Sequence, residues 1–277
     1  MAKITAADVA KLRKMTGAGM MDCKKALGET DGDFDAAIDM LRKKGQKIAA
    51  KRADKEALEG VVLAKANEDK TKAVIISLNC ETDFVAKTDN FINLSNTILD
   101  AALNSDVDNL EDLKNVKIAE RTVSEEILDA TGIIGEKMQL SHFSQIKADK
   151  VEFYIHQDKK LSTMVGFNKT YSDEQVGKDV AMQIAAMSPV GIDKDDVEED
   201  IIQKELEIGK ELAINEGKPA QLAEQISKGR LNKFFKENTL LNQAFIKDNK
   251  KSVSDYLKEQ DKDLTVTVMK RHSIREA

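Results

Sequence analysis

Few residues in this chain have types and spacings suited to bond chemistry. Its 277 residues include only two cysteines, Cys23 and Cys80, and three histidines. No CxxC pair or His/Cys cluster occurs, so no structural or catalytic zinc site is expected. Cys80 could be read as a nucleophile, but activation needs a neighbouring base, and no histidine lies near it in sequence. Gly17-Ala18-Gly19 is too short for a phosphate-cradling loop and falls between two helical patterns. The chemistry that remains is recognition. Phe84 follows two polar residues, Thr82 and Asp83, where a strand is expected to exit. Loops at such places present side chains outward, and a rigid ring there can fill a partner's pocket. A second reading stands beside it: Phe84, Phe91, Leu94 and Ile98 share helical spacing, which suits a core face. Met20 and Met21 follow a glycine turn, and methionine adapts to irregular partner surfaces. One of the two is expected to pack inward and the other to face a partner.

The elements that must position these residues begin with three short helices in residues 1–45. Thr5 can cap the first, whose apolar face is Val9 and Leu12. Met20, Met21, Ala26 and Leu27 mark the second. Asp33 can cap the third, which carries Phe34, Ala37, Ile38 and Leu41 and is expected to end at Gly45. Three such helices make a small module of ubiquitin-associated type. Residues 46–59 read as a linker, partly helical. An internal repeat follows. Gly60–Ala66 and Ala73–Asn79, joined by Asn67-Glu68-Asp69-Lys70, predict a hairpin. A helix with Phe91, Leu94, Ile98 and Ala101 comes next, and a later strand near Lys137–Lys147 completes a first core subdomain, 60–148. The second subdomain, 149–192 with 231–277, opens on Val151–Gln157 and Leu161–Phe167. Its helix is expected to start with a capping box of Ser172 and Gln175, and its third strand lies near Leu264–His272. The second copy carries Asn168-Lys169-Thr170-Tyr171-Ser172 where the first has its Thr82–Val85 run, so the shared fold does not demand that run. Residues 193–230 interrupt the second copy. Gly217 can stop one helix and Pro219 start another, and Val197, Ile201, Ile208 and Leu212 form a stripe that Leu222 and Ile226 can face. The class is α+β: a three-helix module, two repeated sheet-plus-helix subdomains of small antiparallel sheets, and a projecting antiparallel two-helix coiled-coil arm.

Composition narrows the classes further. Apolar residues are 41% and charged residues 33%, with no tryptophan and two prolines, which suits a helix-rich folded chain. No apolar run reaches the length of a membrane span, and the first residues lack a signal-peptide core. With two cysteines and no disulfide framework, a reducing cytoplasm is the expected location. The net charge of -6 is uneven: residues 1–55 hold 13 Lys/Arg against 8 Asp/Glu, which leaves the remainder strongly acidic. A basic head suits an acidic partner. The acidic body and the absence of a basic-plus-aromatic surface pattern argue against nucleic acid.

Two long stretches carry a resemblance. Leu12-Arg13-Lys14-Met15-Thr16-Gly17-Ala18-Gly19-Met20-Met21-Asp22-Cys23-Lys24-Lys25-Ala26-Leu27 resembles the N-terminal signature of the elongation factor Ts family. Asn79-Cys80-Glu81-Thr82-Asp83-Phe84-Val85-Ala86 resembles its second signature. Gly217-Lys218-Pro219, Lys228-Gly229-Arg230 and Gln243-Ala244-Phe245-Ile246-Lys247-Asp248 match in the same order, so the likeness spans essentially the whole chain. At the C-terminus the chain stops soon after its last expected strand, where some relatives carry a further helical module.

The resemblance implies a guanine nucleotide exchange factor rather than an enzyme. Such a factor binds the GTPase elongation factor Tu with GDP in place, loosens the nucleotide and its magnesium, and lets GTP enter. It needs no cofactor or metal of its own. Residues Thr82, Asp83, Phe84 and Val85 would then reach the magnesium site of the partner. Asp83 could redirect groups around that ion, although a carboxylate at a helix start more often accepts backbone N–H groups. Arg13, Met20, Met21 and Lys24 would dock the N-terminal module on the nucleotide-binding domain, the two cations mainly guiding approach. His156 would meet another part of the partner, or be an ordinary solvated histidine near a turn. A homodimer through the arm or core is compatible with the same pattern.

Overall fold

The computed structural model describes residues 4–276, so residues 1–3 and 277 of the expected modules lie outside the described residues. The protein is mixed α/β, with eleven α-helices and small antiparallel sheets among those residues. It divides into two compact units, residues up to 63 with 76–144, and 64–75 with 145–276.

The first unit opens with α1 (Ala6–Thr16), α2 (Met20–Glu29) and α3 (Phe34–Lys51). Thr5 and Asp8 bond reciprocally across the start of α1, each side chain taking the other's backbone N–H. Gly17 turns the chain out of α1 at φ 71°, a conformation that favours glycine. Asp33 caps α3 by accepting the Ala36 N–H. Leu12, Cys23, Ala26, Leu27 and Ala37 close a small core between the three helices.

The expected hairpin follows as β1 (Glu59–Ala66) and β2 (Lys72–Cys80). Between β2 and the third strand of its sheet come α4 (Asp83–Ala86), α5 (Asp89–Asn104), α6 (Leu110–Asn115), the small hairpin β3 (Lys117–Ile118) and β4 (Arg121–Thr122), and α7 (Val123–Ile134). The third strand is β5 (Met138–Lys147), giving the order β1-β2-β5. Helix α7 is not among the expected elements, although Val123, Ile127, Ala130 and Ile134 recur at helical spacing along it. Its ends are encoded as well, by a Thr122–Glu125 capping box and by Gly135 at φ 82°.

Helix α7 also explains why α3 does not stop at Gly45. The helix continues to Lys51, and Gly45 lies buried against Gly132 of α7. A Cβ on Gly132 would stand 2.3 Å from the Gly45 Cα, so the glycine pair permits a close crossing of two helices and is not a terminator.

The second unit repeats the plan. Strands β6 (Lys150–Ile155) and β7 (Leu161–Phe167) pair antiparallel, with Phe153 opposite Met164. Helix α8 (Glu174–Met187) packs on both strands. Its cap is Asp173, which accepts the Gln175 N–H at 2.9 Å, and not the expected Ser172–Gln175 box. The helix starts one residue later than that pattern requires, and an aspartate already stands at the cap. Helices α9 (Glu199–Asn215) and α10 (Ala220–Asn238) follow and pack along each other. After the short pair β8 (Ala244–Phe245) and β9 (Asp248–Ser252) and helix α11 (Val253–Gln260), β10 (Val266–Ser273) returns to lie antiparallel to β7, with Met269 opposite Val165. Phe167, Val176, Val180, Ile184, Leu257 and Val266 share the core beneath.

The seam between α9 and α10 differs from the expected stripe. Ile208, Leu212 and Leu222 are exposed, while Gly209, Ala213, Ala223 and Ser227 are buried. A Cβ on Gly209 would lie 3.1 Å from the Ser227 Cα. Small residues bring the two backbones so near that the long side chains are left on the flanks.

Substituting Gly132 by Ala should cost about 1–3 kcal/mol of stability, because the added methyl meets backbone and cannot be relieved by a rotamer change. Urea unfolding of the variant against the parent measures this, and an unchanged midpoint would show that α3 and α7 do not depend on that close approach.

Candidate functional site

The Thr82–Val85 run sits where β2 leaves its sheet. Cys80 ends the strand, and its thiol donates to the Thr82 carbonyl at 3.1 Å. Thr82 caps the single turn of α4, its hydroxyl oxygen accepting the Val85 N–H at 3.4 Å. Val85 and Ala86 are buried, and Thr88 caps the following helix α5 while its hydroxyl donates to the Val85 carbonyl at 2.8 Å. The turn is thereby fixed at both ends. Phe84, in its middle, is 80% exposed. The core reading of Phe84 is thereby overturned. Phe91 and Ile98 are fully buried on α5, whereas Phe84 belongs to a separate turn, divided from that helix by Thr88 in an extended conformation at ψ 145°.

A neighbouring carboxylate that the sequence did not single out holds this turn from outside. Glu136 accepts the Thr82 backbone N–H at 3.0 Å and the Thr82 hydroxyl at 2.8 Å, one on each oxygen. Glu81 does the same work in the opposite direction. It accepts the Lys137 N–H at 2.6 Å and pairs with Arg52 at 2.9 Å. Two consecutive residues of one strand exit are thus tied crosswise to the two consecutive residues that precede β5. Hydrogen bonds to charged groups such as these contribute about 1.5–3 kcal/mol each. Asp83 points away from this frame and pairs with Lys87 at 2.6 Å, one turn along, on exposed surface. That bond raises the Lys87 pKa. Burial, reinforced by the nearby Glu136 charge, pushes the Cys80 thiol up to about 12. A thiol so protonated is no nucleophile at neutral pH.

At the N-terminal helices Arg13, Met20, Met21 and Lys24 are all exposed. Met20 and Met21 are 45% and 75% exposed, so neither packs inward. Cys23, Ala26 and Leu27 already fill the inner face of α2, and no room is left for a methionine there. Met15, at the end of α1, is exposed as well. Helix α7 connects this surface with the turn described above, within the same unit. Ile133 lies 3.7 Å from the position a Gly17 side chain would take, and three residues later Glu136 holds Thr82. The Thr122–Glu125 box and Gly135 were the signals that could have revealed α7 and, through it, Glu136.

His156 belongs to the second unit and stands apart from these residues in the chain. It sits at the end of the β6–β7 hairpin, where its backbone N–H donates to the Leu161 carbonyl at 2.9 Å. Its Nδ1 lies 3.0 Å from Asp158, which also pairs with Arg275 at 2.7 Å. Asp158 is held below its ordinary pKa first by the Lys160 backbone N–H and then by His156 and Arg275. Among the described residues no group of three or more His, Cys, Asp or Glu could hold a metal ion, and no helix is long and apolar enough to cross a membrane.

Comparison with known proteins shows what the sequence as a whole is similar to. The family model described as Elongation factor TS matches residues 81–276. The chain is 50% identical over 272 residues to Elongation factor Ts of Christiangramia forsetii, with 98% of each sequence covered. It is 47% identical to Elongation factor Ts of Flavobacterium psychrophilum, over 99% of this chain and 100% of that protein. It is 48% identical to Elongation factor Ts of Cytophaga hutchinsonii, with 99% and 100% covered.

Two outcomes follow from the geometry alone. Phe84→Ala should leave the unfolding free energy unchanged to within about 0.5 kcal/mol, as exposed positions do, while Phe91→Ala should cost about 3–5 kcal/mol, both read from urea unfolding; a large loss from Phe84→Ala would return that ring to the core. Cys80 in the native chain should react with iodoacetamide at about pH 8 at least ~100-fold more slowly than in the urea-unfolded chain. Equal rates would mean that the thiol is neither buried nor held protonated.

Proposed function

The chain belongs to the elongation factor Ts family, and from that membership we propose that it binds elongation factor Tu in its GDP form, displaces the magnesium ion and releases GDP so that GTP can bind. Its role in translation elongation is that of a nucleotide exchange factor. The reading assigns it no bond-making chemistry and no cofactor of its own, and places its work in the cytoplasm.

The observation that carries this reading is Phe84, a large apolar ring held in water on a turn that is fixed at both ends. Leaving such a ring exposed forgoes about 1.5–3 kcal/mol that burial would return. A rigid frame lowers the entropy lost when the ring enters a partner's pocket. Accelerating release roughly a thousandfold requires about 4 kcal/mol of preference for the nucleotide-free partner. An anchoring aromatic supplies about 2–4 kcal/mol of that. Thr82 and Val85 set the position of the ring. Asp83 brings a carboxylate to the same tip, where it can compete for the groups around the partner's magnesium ion.

The remaining contacts divide the work. Residues 1–45 act as a ubiquitin-associated-like docking module, with Met20 and Met21 against the nucleotide-binding domain and Arg13 and Lys24 guiding approach. Residues 46–59 connect that module to the first core subdomain, 60–148, their first part continuing α3. The second core subdomain, 149–192 with 231–277, offers His156 as a separate contact. Residues 193–230 form the coiled-coil arm, although α10 itself runs past the expected boundary to Asn238.

Release of a fluorescent GDP analogue from purified elongation factor Tu tests the proposal. The parent chain should accelerate release, and Phe84→Ala should reduce that acceleration roughly ten- to hundredfold. A variant as effective as the parent would remove Phe84 from the mechanism, and a parent without effect would remove the exchange function.

A further inference from the structure

Among the described residues, exposed methionine is concentrated at one place. Four methionines among them are exposed: Met15, Met20, Met21 and Met187. Three of them fall within residues 15–21, around the Gly17–Gly19 turn, and are 56%, 45% and 75% exposed. Met138 and Met164 lie in the two cores instead. The thiols, ordinarily the first targets of a peroxide, are withdrawn. Cys23 and Cys80 are both fully buried, and the Cys23 thiol donates to the Ala18 carbonyl at 3.6 Å. Protonation of the Cys80 thiol adds to its inertness.

We propose that Met15, Met20 and Met21 form an oxidation-sensitive modification site, at which a peroxide converts the thioethers to sulfoxides and weakens docking of the N-terminal module on elongation factor Tu. This rests on the docking role proposed above and adds its regulation. In the reaction the methionine sulfur gives an electron pair to one peroxide oxygen. The O–O bond breaks, an S–O bond forms, and the other oxygen leaves as water with the peroxide's two protons. Methionine is oxidised by two electrons and hydrogen peroxide is reduced by two. The product is polar where the side chain had been apolar and pliable. Met15 shows why that matters locally, since it lines a groove with Ile38, Leu41, Leu94 and Ile133. A sulfoxide there places a strong acceptor beside those apolar side chains, in a groove that Arg42, Lys44, Arg121 and Asp129 also line. The reverse step, catalysed by a methionine sulfoxide reductase with a dithiol as reductant, returns the thioether, water and a disulfide.

The experiment treats the full chain with hydrogen peroxide, quenches it, maps sulfoxides by peptide mass spectrometry, and then titrates fluorescent-GDP release from untreated elongation factor Tu. Met15, Met20 and Met21 should oxidise before Met138 and Met164. The concentration of factor giving half-maximal release should rise roughly tenfold, and reductase with dithiothreitol should restore it. A Met15→Leu, Met20→Leu, Met21→Leu variant, whatever its starting value, should give the same half-maximal concentration before and after peroxide. The proposal is overturned if all three positions carry sulfoxide and the half-maximal concentration does not move. It is equally overturned if the triple variant loses activity as the parent does, for the loss would then arise elsewhere, at Met187 among other places. An untreated parent that releases no GDP would remove the docking reading itself, a failure distinct from either.

Discussion

The paired hydrogen bonds between Glu136 and Thr82 are the constraint on which the arrangement around Phe84 depends. One carboxylate satisfies a backbone N–H and a hydroxyl on the same residue, and that residue caps the turn that bears the ring. An exposed aromatic on a free loop would rotate among many orientations and lose much of its binding energy in becoming ordered. Here the backbone that carries the ring is already held in place. The reciprocal tie, Glu81 to the Lys137 N–H, makes the frame two-sided and links the strand exit to the approach to β5.

The frame is only as firm as the helix that delivers Glu136, and α7 is fixed by its crossing with α3. Two glycines face each other there, and the lack of side chains lets the backbones approach at a distance where dispersion contacts are dense. Through the same helix, Ile133 borders the Gly17 turn, and so the surface that carries Met15, Met20 and Met21 is tied to the element that holds the Phe84 turn. Both sets of candidate contacts in the first unit therefore rest on a helix that itself contributes none of the residues expected to meet a partner.

Much of the architecture was legible in the residues. Caps were: Thr5 and Asp33 stand where expected, because a cap is decided by a few adjacent residues. So were the hairpins and the distant third strand of the second sheet, because a short apolar run bounded by turn residues marks a strand whatever its partner. Three features were not legible in this way. A buried glycine and a terminating glycine look alike in sequence, and Gly45 proved to be the former. A seam built of Gly209, Ala213, Ala223 and Ser227 leaves no apolar stripe to find, so the larger Ile208 and Leu212 were the natural, mistaken choice. Both Met20 and Met21 face water because Cys23, Ala26 and Leu27 had already filled the core, a matter of volume that spacing does not record.

Taken alone, the residue order determined most of the local elements, the repeated plan, and the two stretches that resemble the family. These depend on neighbours within a few positions, or on a pattern that can be compared with other chains. Only the tertiary structure decided that Phe84 lies outside the core while Phe91 lies within it, and that Glu136, more than fifty residues from Thr82 along the chain, is the residue that holds it there. The physical reason is that exposure and hydrogen-bond partnership are properties of what lies nearby in space. A helical spacing shared by Phe84 and Phe91 is broken by one capped turn between them, and the resulting change of direction is set by contacts that no local window contains.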